Sequence, residues 1–322
     1  MKVSQFPTET PSLDEGTIVR DLDRRSFLRK IIDSSQVIQR ATRPHGTKWT
    51  RLHVRVWSLL PIQRPIFILG CPRSGTTFLG ELIESLPRIS YYYEPPALKY
   101  YARLIYQNKV TYWQARLAYE LNFRLLLLRC PGNGARIAEK NPAHTWIAET
   151  LYGMFPDAKF LVINRDGRDT ALSLMRKPWH LASSSALGKR DPGEYLYGPY
   201  PHFYIEPTRE REYMSTSDFH RCIWIWRRFA DKVQQLKRSI PARAQHHLRY
   251  EDLVLSPETT IPPLLDFLGE NDSASSHSVM QAAAQGFKSS IGRWKTELTE
   301  EQKEVAESEA GEALRDAGYS LS

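Results

Sequence analysis

Short apolar runs bounded by proline and glycine alternate along this chain with longer segments in which apolar residues recur every three or four positions. Residues 65–70 form such a run, and its continuous β-forming residues predict a buried strand. Residues 76–86 follow with apolar side chains on one helical face, and Pro87 ends the predicted helix. The first unit is therefore a strand, a tight turn and a helix.

The same alternation continues toward the C-terminus. Residues 158–163 are a second short apolar run, and a turn over 164–169 opens a helix that extends to about residue 175. Periodicity also predicts a helix over 142–155, a long amphipathic helix over 219–236, a strand near 247–250 and a helix over 256–268. Strands that alternate with helices predict a central parallel sheet with helices on both faces, which is a three-layer α/β fold.

The chain divides by composition into an N-terminal tail and helical annex over residues 1–60 and one domain over 61–322. The annex includes an amphipathic helix predicted near 27–37, and residues 97–130 of the domain are also predicted to be helical. Residues 178–217, called the aromatic insert below, carry seven aromatic side chains among glycine and proline. A long irregular insert is usually a functional lid. The alternative, in which the aromatic residues simply pack the insert onto the core, stays open.

Composition places the chain among globular proteins. Of its 322 residues 41% are hydrophobic and 25% charged, which excludes wholesale disorder and collagen-like structure. No apolar stretch reaches the roughly 18 to 20 residues of a membrane span, and the N-terminus lacks the apolar core of a secretory signal. The three cysteines have neither metal-binding nor disulfide spacing. These features predict a cytoplasmic protein without a membrane span.

The turn after the first predicted strand carries candidate chemistry. Residues 70–77 read Gly-Cys-Pro-Arg-Ser-Gly-Thr-Thr, which keeps the two glycines and final hydroxyl of a P-loop but places Thr76 where that motif has lysine. Backbone N–H groups of a glycine-containing turn that enters a helix form a cradle for an anion. The sequence therefore predicts a phosphate-binding turn, and a helix cap without a ligand is the alternative.

The turn after the second strand, residues 164–169, reads Asn-Arg-Asp-Gly-Arg-Asp. Transfer of a γ-phosphoryl group with magnesium needs the P-loop lysine and an aspartate after an apolar strand, whereas this turn begins with the cation Arg165. Arginine suits a second phosphate. A sulfuryl group bears one charge fewer than a phosphoryl group, so arginine, lysine and backbone amides can stabilise its transfer. The residues thus predict metal-free sulfuryl transfer and no metal site.

These residues resemble the sulfotransferases that use 3′-phosphoadenosine 5′-phosphosulfate (PAPS). Residues 72–79 are similar to that family's 5′-phosphosulfate loop, and residues 165–173 to its 3′-phosphate motif, with arginine and serine eight positions apart. Residues 249–253, Arg-Tyr-Glu-Asp-Leu, and the segment 288–295 resemble two further family segments, although Ser289 replaces a glycine of the cytosolic branch. The resemblance is closer to the carbohydrate and tyrosyl-protein branch than to the cytosolic aryl branch.

The resemblance implies PAPS as co-substrate and assigns roles to individual residues. The implied nucleotide-binding residues are Arg73, Ser74, Gly75, Thr76, Thr77 and Phe78 at the phosphosulfate, Arg165 and Ser173 at the 3′-phosphate, and Lys288, Arg293 and Trp294 in the C-terminal loop. Arg73 and Lys140 are implied to stabilise charge during transfer. A local ion pair between Lys140 and Glu139 is the alternative for that lysine.

Transfer to a hydroxyl also needs a general base, because the acceptor oxygen must lose its proton. Glu94 follows three tyrosines and stands where the carbohydrate and tyrosyl-protein branches place a glutamate. Its aromatic neighbours are expected to raise its pKa toward a working value. His180 and His144 are the alternative bases.

The acceptor is predicted from the aromatic insert. Between Trp179 and Tyr213 there are four lysines and arginines against five acidic residues, so the insert has no positive field for an anionic polymer. We expect a small, lipid-like or glycosylated hydroxyl compound. The net charge of +8 suits an anionic ligand and an ordinary solvated surface equally. The rival functions are a P-loop kinase acting on a small-molecule hydroxyl and a non-enzymatic nucleotide- or nucleic-acid-binding protein. We expect no nucleic-acid partner, and a homodimer is left open.

Overall fold

The computed structural model describes residues 62–129, 136–191 and 193–321. Within this part of the chain, five parallel strands form one sheet in the order β2-β3-β1-β4-β5. The strands are β1 (Ile66–Leu69), β2 (Ile89–Tyr93), β3 (Arg136–Lys140), β4 (Lys159–Asn164) and β5 (Gln245–Arg249). The strands predicted at 65–70, 158–163 and 247–250 correspond to β1, β4 and β5.

Helices connect the strands and follow the last of them. They are α1 (Thr76–Glu84), α2 (Pro96–Tyr106), α3 (Tyr112–Arg129), α4 (Ala148–Met154), α5 (Gly167–Leu174), α6 (Glu210–Ser215), α7 (Asp218–Ser239), α8 (Tyr250–Leu255), α9 (Pro257–Leu268), α10 (Ser273–Ala283), α11 (Trp294–Glu297) and α12 (Glu300–Asp316). None of these helices combines the length and the apolar character needed to cross a bilayer.

Both faces of the sheet are buried, and β1 shows why. Ile66 and Ile68 point to a core formed with α1, α8, α9 and α10, whereas Phe67 and Leu69 point to a core formed with α2, α3 and α7. All four side chains have no exposed surface, as expected for a strand with helices on both sides. The predicted three-layer α/β fold is confirmed.

Three elements differ from the sequence-based expectations. The tyrosine-rich segment before Glu94 forms the edge strand β2, which periodicity did not predict. The helix predicted over 142–155 begins as a 3-10 helix, Pro142–Ile147, before α4. The aromatic insert ends in the short helix α6. The predicted annex, residues 1–60, lies outside the described residues, and so does the helix expected near 27–37.

The order of the strands determines where a ligand can bind. From β1 the chain moves outward to β2 and returns through β3, and it then continues on the other side of β1 with β4 and β5. The carboxyl ends of parallel strands meet at one edge of the sheet, and the point where the strand order reverses is the usual binding crevice of such folds. The turns after β1, β3 and β4 therefore face a common space.

Glu309 of helix α12 binds the end of the aromatic insert to the core. The carboxylate of Glu309 accepts hydrogen bonds from Arg209 at 3.0 Å, Arg227 at 2.8 Å and His220 at 3.0 Å. Burial favours the neutral acid, but His220 and the two arginines outweigh burial and lower the pKa of Glu309 to about 2. This cluster joins α7, α12 and the start of α6.

Acid sensitivity should follow from Glu309. Because its pKa is lower in the folded chain than its usual 4.5, its stabilisation is present above pH 4.5 and is lost as the pH falls toward 2. The shift corresponds to about 3 kcal/mol of unfolding free energy. We expect Glu309→Gln to flatten the dependence of unfolding free energy on pH between 5 and 2, measured by urea unfolding. The exposed Glu307→Gln on the same helix is the control, and equal slopes for the two variants would contradict this assignment.

Candidate active site

The turn between β1 and α1, residues 70–77, is called the phosphate loop below. At its end Gly75 has φ +95°, and a Cβ atom there would lie 2.4 Å from the ring of Tyr250. Only glycine fits this position, because it tolerates positive φ and leaves room for the ring. Gly75 is also the N-cap of α1, and no side chain caps the helix. The first-turn N–H groups of α1 are thus available to an anion.

The hydroxyl residues of the phosphate loop differ in accessibility. Ser74 is buried, and its hydroxyl donates to the carbonyl of Cys71 at 2.6 Å, so it stabilises the turn itself. Thr76 is also buried, whereas Thr77 and Phe78 are half-buried. The predicted contacts of these residues with a nucleotide stay predictions.

Arg73, Arg165 and Ser173 come together at the carboxyl ends of β1 and β4. Nε of Arg73 donates to the hydroxyl of Ser173 at 3.2 Å, and Nη1 of Arg165 donates to the carbonyl of Arg73 at 3.3 Å. Arg165 also donates to the carbonyl of Ser290 and lies over the ring of Tyr250 at 4.9 Å. Its Nε is buried without a hydrogen-bond partner. The two phosphate motifs found in the sequence therefore form one cationic cluster.

The other charged residues of the turn after β4, residues 164–169, make contacts within the protein. Asp166 caps α5 and pairs with Arg168 at 2.7 Å, and Arg168 also donates to the carbonyl of Ser320 at 2.7 Å. Asp169 accepts from the backbone N–H of Gly292 at 2.6 Å and of Trp294 at 2.9 Å. The turn thus docks both the C-terminal loop and the end of the chain.

The three predicted nucleotide-binding residues of the C-terminal loop have separate surroundings. Trp294 is buried, with the guanidinium of Arg168 at 3.5 Å from its ring centroid. Arg293 pairs with Glu297 at 2.6 Å, and Lys288 is exposed. The carbonyl of Ser290 makes the contact between this loop and the cationic cluster. Ser290 lies within the segment 288–295 that resembles a family segment, but the sequence assigned it no role of its own.

Glu94 and Lys140 form an ion pair at the ends of β2 and β3. The two atoms Oε1 and Nζ are 2.5 Å apart, and Lys140 is almost fully buried. Tyr93 stands opposite Lys140 in the strand register, and the N–H of Glu94 donates to the carbonyl of Lys140 at 2.9 Å. Glu94 itself has φ +40°, an uncommon conformation for a residue with a side chain. The local ion pair between Lys140 and Glu139 is not formed, because Glu139 faces His144.

The expectation that aromatic neighbours raise the pKa of Glu94 is wrong. Burial does favour the neutral acid, but Lys140 and Lys99 outweigh it, and the pKa of Glu94 is lowered. Oε2 of Glu94 lies 3.3 Å from Nζ of Lys99. For Lys140, burial outweighs the attraction of Glu94 and lowers the pKa of the ammonium group. Glu94 is therefore a carboxylate at neutral pH.

The two histidines proposed as alternative bases lie in different places. His144 has no exposed surface, its Nε2 is 2.8 Å from the hydroxyl of Tyr119, and its Nδ1 is 2.6 Å from Glu139. It is enclosed in the core. His180 lines the same cavity as Glu94, and burial, with His202 and neighbouring cations, holds its pKa well below the ordinary value. His180 is thus neutral at pH 7 and a weak base.

A cavity of about 270 Å³ joins the phosphate loop to the aromatic insert. Pro72 of the phosphate loop and Glu94 lie on its wall together. The insert contributes Trp179, His180, Asp191, Tyr195, Tyr197, His202, Phe203 and Tyr204. Of the other insert aromatics, Tyr213 is fully buried in the core and Tyr200 is 36% exposed. The insert therefore both covers the cavity and packs onto the core.

The comparisons with known proteins agree with this geometry. A profile of the sulfotransferase family matches residues 65–274, which include all five strands, the phosphate loop and the pair of Glu94 with Lys140. The chain belongs to the sulfotransferase family. The resemblance inferred from the two phosphate motifs is thereby confirmed, and the matched family is neither a kinase nor a nucleic-acid-binding one.

The relatives of this family member are distant. A protein-tyrosine sulfotransferase of Drosophila melanogaster is 24% identical over 227 residues, which are 66% of this chain and 40% of the relative. Protein-tyrosine sulfotransferase A of Caenorhabditis elegans is 24% identical over 216 residues, 63% of this chain and 49% of the relative. The chain thus spans less than half the length of these curated relatives. The crystal structure of sulfotransferase STF9 from Mycobacterium avium has a TM-score of 0.53 at 15% identity, covering 91% of this chain and 86% of that chain, and so shares the fold.

Sequence reasoning missed two residues beside Glu94. Lys99 is in the first turns of α2, and its position after the helix-starting pair Pro95 and Pro96 would have placed it near the end of β2. Asp191 lies 2.6 Å from Lys99 but 92 positions away in the chain, and no local pattern signals that contact. Both residues join the insert to the site.

Proposed function

We propose that this chain is a PAPS-dependent O-sulfotransferase that transfers a sulfuryl group to a hydrophobic alcohol or phenol, with Glu94 as general base. The observation that carries the proposal is the cavity whose wall includes both Pro72 of the phosphate loop and Glu94. An acceptor hydroxyl in that cavity lies beside an anion-binding loop and beside a carboxylate. Family membership and the tyrosine sulfotransferase relatives support the same reaction type.

The described residues fit the phosphate groups of the co-substrate. The uncapped first turn of α1 and the close approach of Gly75 to Tyr250 form a cradle for an anion. Arg165 has a buried Nε without a partner, which suits a further anionic oxygen. Arg73, Arg165 and Ser173 would hold the two phosphate ends. The bound co-substrate would supply an activated sulfuryl group attached to a phosphate oxygen.

Glu94 would accept the proton of the acceptor hydroxyl as its oxygen forms the new bond to sulfur. The bond from sulfur to the bridging phosphate oxygen breaks in the same displacement, and negative charge develops on that oxygen. Lys140, held beside Glu94, and the N–H groups of α1 would stabilise this charge. The other acidic side chain among the described residues of the cavity wall is Asp191, which is engaged by Lys99 and by the N–H groups of Gly193 and Tyr195.

The cavity favours a flat apolar acceptor. Its walls are mainly aromatic, and the insert contributes balanced charges rather than a basic groove. Aromatic walls with hydroxyl tips suit a ring or lipid-like chain that carries one hydroxyl. A phenol, including the tyrosine side chain of a peptide, meets this requirement.

Transfer of ³⁵S from labelled PAPS tests the proposal. The panel contains small phenols, hydrophobic alcohols, tyrosine-containing peptides and heparan-type chains, each with and without EDTA. We expect labelled phenol or alcohol products whose yield EDTA leaves unchanged. Loss of activity in EDTA, or transfer to heparan chains alone, would contradict the proposed reaction or acceptor.

The acceptor wall can be tested by one substitution in the aromatic insert. Trp179 lines the cavity, so we expect Trp179→Ala to raise the KM for the best acceptor by about tenfold or more, the size typical of a lost pocket contact. Affinity for the 3′,5′-bisphosphate product should stay the same. Tyr200→Ala is the matched control, because Tyr200 belongs to the insert but not to the cavity wall. Equal KM values for the two variants would remove the insert from acceptor binding.

A further inference from the structure

Lys99 connects Glu94 to the aromatic insert. Its Nζ lies 3.3 Å from Oε2 of Glu94 and 2.6 Å from Oδ2 of Asp191. Lys140 pairs with the other oxygen of Glu94. Lys140, Glu94, Lys99 and Asp191 thus form a chain of alternating charge from β3 to the insert. The side chain of Asp191 is only 7% exposed, which strengthens its attraction for Lys99.

The insert holds Asp191 in a defined turn against α2. The other oxygen of Asp191 accepts from the N–H groups of Gly193 at 2.8 Å and Tyr195 at 3.0 Å. A Cβ atom at Gly193 would lie 2.9 Å from Cγ of Lys99, so the turn packs directly on the stem of the lysine. One helical turn further, Arg103 donates to the carbonyl of Glu194 at 2.8 Å. The position of Asp191 therefore depends on how the insert is seated.

An acceptor hydroxyl must compete with Lys99 for Glu94. Oε1 of Glu94 is held at 2.5 Å by Lys140, and Oε2 is the oxygen that Lys99 contacts at the longer distance. Lys99 is closer to Asp191, which can retain the ammonium group when Glu94 takes another partner. We propose that Lys99 is a positioning residue shared by Glu94 and Asp191, so that the seating of the aromatic insert sets how strongly Glu94 holds a proton.

This inference rests on the proposed role of Glu94 as base. Charged and titratable groups surround both Glu94 and Lys99. Burial lowers the pKa of Lys99, but Glu94 and Asp191 outweigh burial and raise it, so the lysine stays charged. The titratable groups that interact electrostatically with Glu94 are Tyr91 and Tyr93 of β2, Glu139 and Lys140 of β3, Lys99 of α2 and Tyr197 of the insert. His180 and His202 of the insert face Lys99 and are neutral at pH 7, because burial lowers both pKa values.

The test is a pH titration of the Glu94 carboxyl carbon by NMR in protein labelled with ¹³C-glutamate, with the signal assigned by its loss in Glu94→Gln. Lys99→Met removes one of the two cations while keeping the stem, and we expect the midpoint to rise by about one pH unit. Asp191→Asn removes a negative charge, so that Glu94 becomes the only carboxylate paired with Lys99. We expect the midpoint of Glu94 to fall. The asparagine oxygen can still accept from Gly193 and Tyr195.

A rise of the Glu94 midpoint in one variant and a fall in the other would distinguish this inference from a purely structural role of Lys99. Arg103→Met is the control, because Arg103 contacts the insert but not Glu94, and its midpoint should match wild type. Midpoints that stay unchanged in Lys99→Met and Asp191→Asn, or shift in the same direction, would overturn the inference, as would an equal shift in Arg103→Met.

The titration needs no turnover, so it is independent of the proposed function. Full activity of Glu94→Gln together with opposite midpoint shifts would reject Glu94 as base and leave the charge coupling standing. An inactive Glu94→Gln with unmoved midpoints would reject the coupling alone. Calorimetry with the 3′,5′-bisphosphate should give wild-type affinity for both variants, which confirms that they fold.

Discussion

Glu94→Gln should lower kcat by about a hundredfold or more and leave the affinity for the 3′,5′-bisphosphate nearly unchanged. The amide has almost the shape of the carboxylate but cannot accept a proton. Its oxygen can still accept a hydrogen bond from Lys140, so Lys140 should keep its position. Steady-state transfer from labelled PAPS gives kcat, and calorimetry gives the affinity.

Glu84→Gln is the matched control for this experiment, since Glu84 is exposed on α1 and lies outside the cavity lining. We expect it to retain wild-type kcat. An unchanged kcat in Glu94→Gln would move the role of base to His180, because His144 is enclosed in the core. The dependence of kcat on pH would then follow an imidazole rather than a carboxylate.

Arg165→Ala should weaken binding of the 3′,5′-bisphosphate by roughly 10- to 100-fold, which matches the value of about 1.5 to 3 kcal/mol for a hydrogen bond to a charged group. The arginine carries the buried Nε without a partner and links Arg73 to Ser290. Its loss would remove a charged donor and also release the C-terminal loop. Calorimetry with the bisphosphate and with adenosine 5′-phosphosulfate would measure both effects.

The comparison of the two ligands decides which phosphate Arg165 binds. A loss confined to the bisphosphate assigns the 3′-phosphate, as the sequence motif implies. Equal affinity of Arg165→Ala and wild type for the bisphosphate, with weaker binding of adenosine 5′-phosphosulfate, would contradict that assignment. Arg176→Ala is the control, because Arg176 follows α5 but its side chain is 63% exposed and pairs with Glu297.

The local sequence pattern predicted the strands and helices around the phosphate loop well. The strand before residue 70 and the helix after 75 are both visible in the spacing of apolar residues, and Arg165 and Ser173 lie eight positions apart across α5. Because parallel strands end at one edge of a sheet, these motifs had to meet once the strands were recognised. The contact between Arg73 and Ser173 follows from this topology.

The surroundings of Glu94 could not be predicted in the same way. Its neighbours along the chain are aromatic and suggested a raised pKa, but the neighbours that decide its pKa come from other elements. Lys140 lies beside it because Tyr93 and Lys140 are in register, which required recognising β2 as a strand. Asp191, which holds Lys99, comes from an insert without periodicity. Long-range packing therefore sets the charge of Glu94.

The close fit of Gly75 and Tyr250 also limits how this family member can evolve. A side chain at position 75 would strike the ring, and φ +95° would strain it even beside a smaller residue 250. A smaller residue 250 would also lose the contact of the ring with Arg165 at 4.9 Å and of its hydroxyl with Ser290 at 3.3 Å. A change at position 250 therefore removes these two contacts, whereas position 75 is restricted to glycine by its backbone conformation as well as by the ring.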